Sequence, residues 1–158
     1  MELVKNKLKQ AQDLFTKADH LIYTTYPIVK ENKLLYSSIV YMDRSLMTAI
    51  SAWVEYERYY KRISPGPKDL NSKFHIFKTY IARKHQVPLE YVKNIMDIRA
   101  IIKAYKESPM TFSRKEKFVM WSNEDKLKTI NVEQIKKHLT KSRLFLGLVE
   151  NKINARRK

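Results

Sequence analysis

Apolar residues recur at alternating intervals of four and three along most of this chain, and that rhythm is helical. Val4, Leu8, Ala11, Phe15, Ala18 and Ile22 step by 4, 3, 4, 3, 4, which lines one face of an α-helix. The pattern predicts a helix from about Glu2 to Tyr23, ended before Pro27. Leu35, Ile39, Met42, Leu46, Ala49, Trp53, Tyr56 and Tyr60 repeat it. Val40, Met47, Ile50 and Val54 widen the second stripe, so this helix is expected to touch several neighbours. It stops at the turn Ser64-Pro65-Gly66-Pro67. A shorter third helix is expected from about Ser72 to Lys84, with Phe74, Phe77 and Ile81 inward and a break at Val87-Pro88. Tyr91, Ile95, Ile98, Ile102 and Tyr105 mark a fourth, to about Lys106, before Ser108-Pro109. Ile135, Leu139, Ser142, Leu146, Val149 and Ile153 mark the last. Asn131 with Gln134 has the spacing of an N-cap and its capping-box partner.

Phe112 to Ile130 has no helical period. Lys117-Phe118-Val119-Met120-Trp121 is β-prone, Ser122-Asn123-Glu124-Asp125 is turn-prone, and Lys126 to Ile130 can return, so a β-hairpin insertion is expected at about 112–130. Gly66 and Gly147 are the only glycines in 158 residues, too few for the tight turns of a sandwich or barrel. The fold class is therefore all-α: one domain over 1–158, an up-down bundle of four long helices plus one shorter helix, with the hairpin before the last helix. If the first two helices meet suitably, Tyr23 and Tyr26 gather with Tyr56, Tyr59 and Tyr60 at one end, as boundary core or as a dimer surface.

Charge then bounds the function. Lys and Arg number 32 against 16 Asp and Glu, a formal net charge of +16, and the excess is spread along an otherwise ordinary globular sequence. A cationic fold of this kind points to a polyanionic partner. An AT-rich coding sequence would also enrich Lys, Ile, Asn and Tyr, but it should raise Glu as well, and acids are few. Cysteine is absent, which excludes disulfides and thiolate chemistry and fits a reducing cytoplasm. Met1-Glu2-Leu3-Val4-Lys5 lacks the basic-then-apolar pattern of an export signal, and no apolar run reaches bilayer length. The expected location is cytoplasmic, with no membrane partner.

No motif names a reaction. His20, His75, His85 and His138 form no i, i+4 pair, and no Glu-x-x-His motif occurs, so no metal site or cofactor is expected. Two glycines leave no phosphate loop or dinucleotide fingerprint, and no serine sits in a nucleophile elbow. Two charged pairs interrupt apolar helices, Asp43-Arg44 and Asp97-Ile98-Arg99. They read as ion pairs at bundle seams, or as a cleft built from a carboxylate and a cation on two helices. The hairpin carries the candidate nucleic-acid surface: Arg114, Lys115, Lys117, Lys126 and Lys128, with Trp121 placed to stack on a base and Phe112 interleaved. Lys136, Lys137 and Lys141 extend it. They lie in the N-terminal half of the last helix, where the macrodipole disfavours cations, so something other than helix stability placed them there.

The order of elements resembles HEPN-like domains (higher eukaryotes and prokaryotes nucleotide-binding). The fourth helix leads to Ser108-Pro-Met-Thr-Phe-Ser-Arg-Lys-Glu-Lys-Phe-Val-Met120 and then to the long helix with Ile135 to Ile153, a run also similar to small archaeal proteins of this length. Active members of that family imply a metal-independent, usually dimeric ribonuclease with a His four to six residues after an Arg. Here His85 lies too close to Arg83, and His138 and Arg143 stand in reverse order, so the catalytic role does not carry over. The resemblance implies a noncatalytic version that binds RNA, a nucleotide or a protein. The leading expectation is RNA, ahead of DNA. The alternatives are an acidic protein partner, a homodimer of toxin–antitoxin type, or an unusual ribonuclease relying on His138.

Overall fold

A computed structural model describes the backbone of residues 1–107, 110–114, 117–121 and 127–155, and the side chains of 1–107 and 130–155. The chain runs α1 (Glu2–His20), a π-turn (Leu21–Thr25), α2 (Tyr26–Val29), α3 (Lys33–Tyr59), α4 (Leu70–Ile76), a second π-turn (Phe77–Ile81), α5 (Ala82–Lys84) and α6 (Leu89–Glu107). Strands β1 (Met110–Arg114), β2 (Lys117–Trp121) and β3 (Leu127–Asn131) lead into α7 (Val132–Asn154). The fold is an all-α helical bundle with a small antiparallel sheet inserted before its last helix. Among the described residues no helix is long and apolar enough to cross a membrane.

The first helix does not end before Pro27. Tyr26 N–H reaches back five residues to the Leu21 carbonyl, and this wider turn precedes the residue that has no N–H to give. The helix then continues to Val29 and stops at Lys30, whose backbone is left-handed (φ 53°). Asp69 caps α4 by accepting from the Ser72 amide at 2.9 Å. The capping box before α7 is present in both directions: Gln134 N–H donates to Asn131 Oδ1 at 2.8 Å, and Asn131 N–H to Gln134 Oε1 at 3.1 Å.

The insertion is a three-stranded meander, β1-β2-β3, rather than a two-stranded hairpin. The expected strand and its return are there, and Met110–Arg114 adds a strand in front of them, with Arg114 opposite Lys117 and Met110 opposite Trp121. Its alternation of Met, Phe and Arg with Thr and Ser has period two, and it follows Pro109, a residue that a strand tolerates at its start.

Helix α3 is the axis of the bundle. Its buried residues, from Leu35 to Glu57, include the unbroken run Ala49 to Val54, so over that run it is covered on all sides. Helix α1 lies antiparallel to it: Ser38 Oγ donates to the Ala18 carbonyl at 3.1 Å, and Ser45 Oγ to the Ala11 carbonyl at 2.6 Å. Small residues seven apart on each helix let the backbones approach closely. The same direction puts Tyr23 and Tyr26 beside the start of α3 and leaves Tyr56, Tyr59 and Tyr60 at its far end, so the expected tyrosine cluster does not form. Tyr26 instead donates to Asn32 Oδ1, while Tyr56 and Tyr60 flank the Arg62 guanidinium.

The C-terminal half of α3 holds buried charge. Lys73, 3 % exposed, donates to Ser51 Oγ at 2.8 Å and pairs with Glu55 at 3.2 Å. Burial acts to raise the Glu55 pKa, but Lys73 and Arg58 together hold it below the ordinary value. Glu57, 1 % exposed, sits between Arg62 and His85, each at 3.1 Å. These contacts clamp α4 and α5 onto α3.

Because Ala11 and Ala18 are fully buried against α3, Ala18→Leu overpacks the seam and lowers unfolding free energy by about 1–3 kcal/mol in urea titration. Gly147→Ala should shift the midpoint the other way by about 0.5–1 kcal/mol, since a Cβ there meets nothing within 4 Å and a mid-helix glycine is costly.

Candidate functional site

Where α6 crosses α3 and α4, a cleft of about 710 Å³ opens. Helix α6 supplies Met96, Arg99, Ala100, Lys103, Lys106 and Glu107, a stripe at intervals of three and four. Helix α3 supplies Asp43, α4 supplies Phe74, and the second π-turn supplies Lys78.

Phe74 organises the cations. Its buried ring has Lys78 Nζ 4.7 Å and the Arg99 guanidinium 5.3 Å from its centroid, each contact worth on the order of 0.5–2 kcal/mol. Arg99 is further fixed by donating to Asp43 Oδ1 at 3.3 Å and to Asn71 Oδ1 at 3.2 Å. Burial pushes the Asp43 carboxyl above its ordinary range, against the opposing pull of Arg99, Lys106 and Arg44. Lys78, Lys103 and Lys106 have no carboxylate within ion-pair distance among the described residues. The cleft thus offers four cations, two of them seated on a ring, against Asp43 and Glu107. That arrangement can hold an anionic group while one acceptor stays available.

The two charged pairs singled out in the sequence are re-sorted by the fold. Asp43 pairs with Arg99 across helices, not with Arg44, and this seam is the wall of the cleft. Asp97 instead lies close enough to His138 to favour its charged form. Phe74, Lys78, Lys103 and Lys106 were not anticipated as site residues. The visible signal was the Lys103 and Lys106 spacing behind Arg99 on one helical face.

The expected patch on the insertion is divided. Residues Lys115 and Lys126 lie outside the described residues. Register places Arg114 opposite Lys117 and Met110 opposite Trp121, so Arg114, Lys117, Trp121 and Phe112 occupy positions of one face. Lys128 pairs with Met120, and Phe118 with Ile130. Lys128 therefore belongs to the other face, the one that includes the buried Ile130, because strand neighbours two apart share a face. On α7, Lys137 and Lys141 are exposed with no acidic partner among the described residues. Lys136 lies 3.8 Å from Glu133 and 5.4 Å from the Tyr23 ring centroid, contacts that offset the unfavourable helix dipole. No α7 residue lines the cleft.

His138 is engaged in the α6–α7 seam. Its Nδ1–H donates to Asn94 Oδ1 at 2.6 Å, Asn94 Nδ2 donates to Ser142 Oγ at 3.1 Å, and the Ser142 hydroxyl points to Met42 Sδ at 3.9 Å. Among the described residues no group of three or more His, Asp or Glu is placed to hold a metal ion.

Burial lowers the His138 pKa from its ordinary value of about 6.5. The unfolded chain then binds the proton more tightly, so stability is full above about pH 6.5 and falls as the pH drops through the depressed folded value. Melting temperature measured from pH 7.5 to 5 should decline, and His138→Gln should flatten part of that decline.

No protein-family model, curated protein or solved structure matches this chain, and its functional reading therefore comes from the chemistry of the cleft and the charged faces.

Proposed function

We propose that this protein is a noncatalytic nucleic-acid-binding helical bundle of the cytoplasm that takes single-stranded RNA in preference to DNA. The observation that carries this reading is the cleft, which Lys78, Arg99, Lys103 and Lys106 line together, the first two of them over the buried Phe74 ring. Phosphates are held by such cations in exchange for released counterions, and an immobilised guanidinium loses little further entropy on binding. Exposed Lys137 and Lys141, with Arg114 and Lys117 facing each other across β1 and β2, supply further phosphate contacts along a strand. Trp121 is the stacking residue in this reading. The HEPN-like resemblance enters here as its noncatalytic form, and the lack of cysteine favours the cytoplasm.

Fluorescence anisotropy with single-stranded RNA between 50 and 300 mM salt tests the reading. With three or four phosphates engaged, the logarithm of the association constant should fall against the logarithm of salt with a slope of about −2 to −3. Lys103→Glu with Lys106→Glu should weaken binding and flatten the slope. An affinity indifferent to salt would exclude phosphate contacts and leave an acidic protein or a second copy of the chain as the partner.

A further inference from the structure

Asp43 is out of place in a cleft built only for phosphates. Arg99 at 3.3 Å offsets its charge, but the carboxylate remains an acceptor that a bare phosphate leaves unused, so a ligand that brings a donor as well as a charge fits the cleft better. Asp43 Oδ1 accepts from Arg99, while Oδ2 accepts no side-chain hydrogen bond among the described residues. Beside the charged groups, with Glu107 at the end of α6 among them, the lining has an apolar part: Ala100, Ile102 and the exposed Met96. Thioether and aliphatic surfaces of this kind pack against flat rings. The volume of about 710 Å³ lies within the range of roughly 300–1,000 Å³ that small-molecule sites occupy.

Resting on the RNA-binding reading, we infer that the cleft is a ribonucleotide subsite: Lys78, Lys103 and Lys106 take a phosphate, Asp43 accepts from the ribose 2′-hydroxyl, and Met96 packs on the base. A carboxylate is the group that reads a ribose hydroxyl in many nucleotide sites, and the 2′-hydroxyl is the atom that separates RNA from DNA. Arg99 is a positioning residue. It holds Asp43 in place from the Phe74 ring and neutralises the charge that would otherwise repel the phosphate.

Calorimetric titration of the full chain with AMP, 2′-deoxy-AMP and inorganic phosphate tests the subsite. AMP should bind about tenfold or more tightly than its deoxy analogue, the gain expected for a hydrogen bond to a charged group. Inorganic phosphate should bind more weakly than either. Asp43→Asn should erase the difference between AMP and deoxy-AMP, and Lys103→Ala, at an exposed helix position, should weaken both equally without touching the fold. Equal binding of AMP and deoxy-AMP, or phosphate binding as tightly as AMP, would overturn the inference. A parallel arm compares matched RNA and DNA strands carrying a terminal phosphate. RNA preference lost in Asp43→Asn supports the Asp43 role within a strand. Preference retained in that variant overturns the Asp43 role while leaving RNA binding standing. AMP discrimination without any RNA affinity keeps the subsite, as one for free nucleotides, and removes the RNA-binding reading.

Discussion

Helix α3 is covered along most of its length, and its buried polar side chains must find partners within the protein; among the described residues most do, the Trp53 indole N–H being an exception. Ser38 and Ser45 reach α1 carbonyls, Ser51 accepts from Lys73, and Glu57 is held by Arg62 and His85. An unpaired charge at these depths would cost several kcal/mol, so each partner helix is docked by a specific polar contact as well as by apolar area. The register of α1, α4 and α5 on α3 follows from those contacts. Asp43 is where the cover thins. Its partner Arg99 comes from α6 and stays partly open to solvent, and the cleft forms around that pair.

The cationic surplus behaves differently from the core. Part of it is consumed structurally: Lys73 and Arg58 are tied to the half-buried Glu55 and Arg62 to the buried Glu57 at the far end of α3, and Arg143 to Asp19. Another part is stacked on rings, as with Lys136 on Tyr23 and Lys78 on Phe74. What remains for a polyanion is a smaller set than the net charge implies: Lys103 and Lys106 lie in the cleft beside the paired Arg99 and the ring-seated Lys78, and others such as Lys5, Lys9 and Lys93 are exposed elsewhere. In the RNA-binding reading proposed above, net charge serves attraction and encounter, and the arrangement of Arg99, Asp43 and Phe74 serves selectivity.

Both π-turns bear on this economy of contacts. The first carries the helix past Pro27, and with Leu21 and Thr25 it borders a second, shallower groove with His20 and Tyr41. The second borders the cleft through Lys78, keeps Phe77 and Ile81 in the core, and leaves Lys78 beside Phe74. An extra residue in a helical turn shifts the faces on either side of it, which allows one short helix to present core residues and a ring-seated lysine together.

The period of the apolar residues determined the helices, because a stripe at intervals of three and four has one way to be buried. The Asn131–Gln134 cap and the β2 segment were equally legible, as local hydrogen bonding and alternation need no distant partner. The strand Met110–Arg114 was not, although its alternation has period two: without the long β-branched or aromatic run of β2, its place as a strand comes from pairing with β2. Nor was the site. Arg114, Lys128 and Trp121 are neighbours in number, but strand parity divides them between faces. Asp43, Phe74, Lys78 and Arg99 are far apart in number and become neighbours only when α4 and α6 dock on α3. Local pattern decides which face of an element is buried; which buried faces meet, and which charges meet at their edges, is decided by long-range packing.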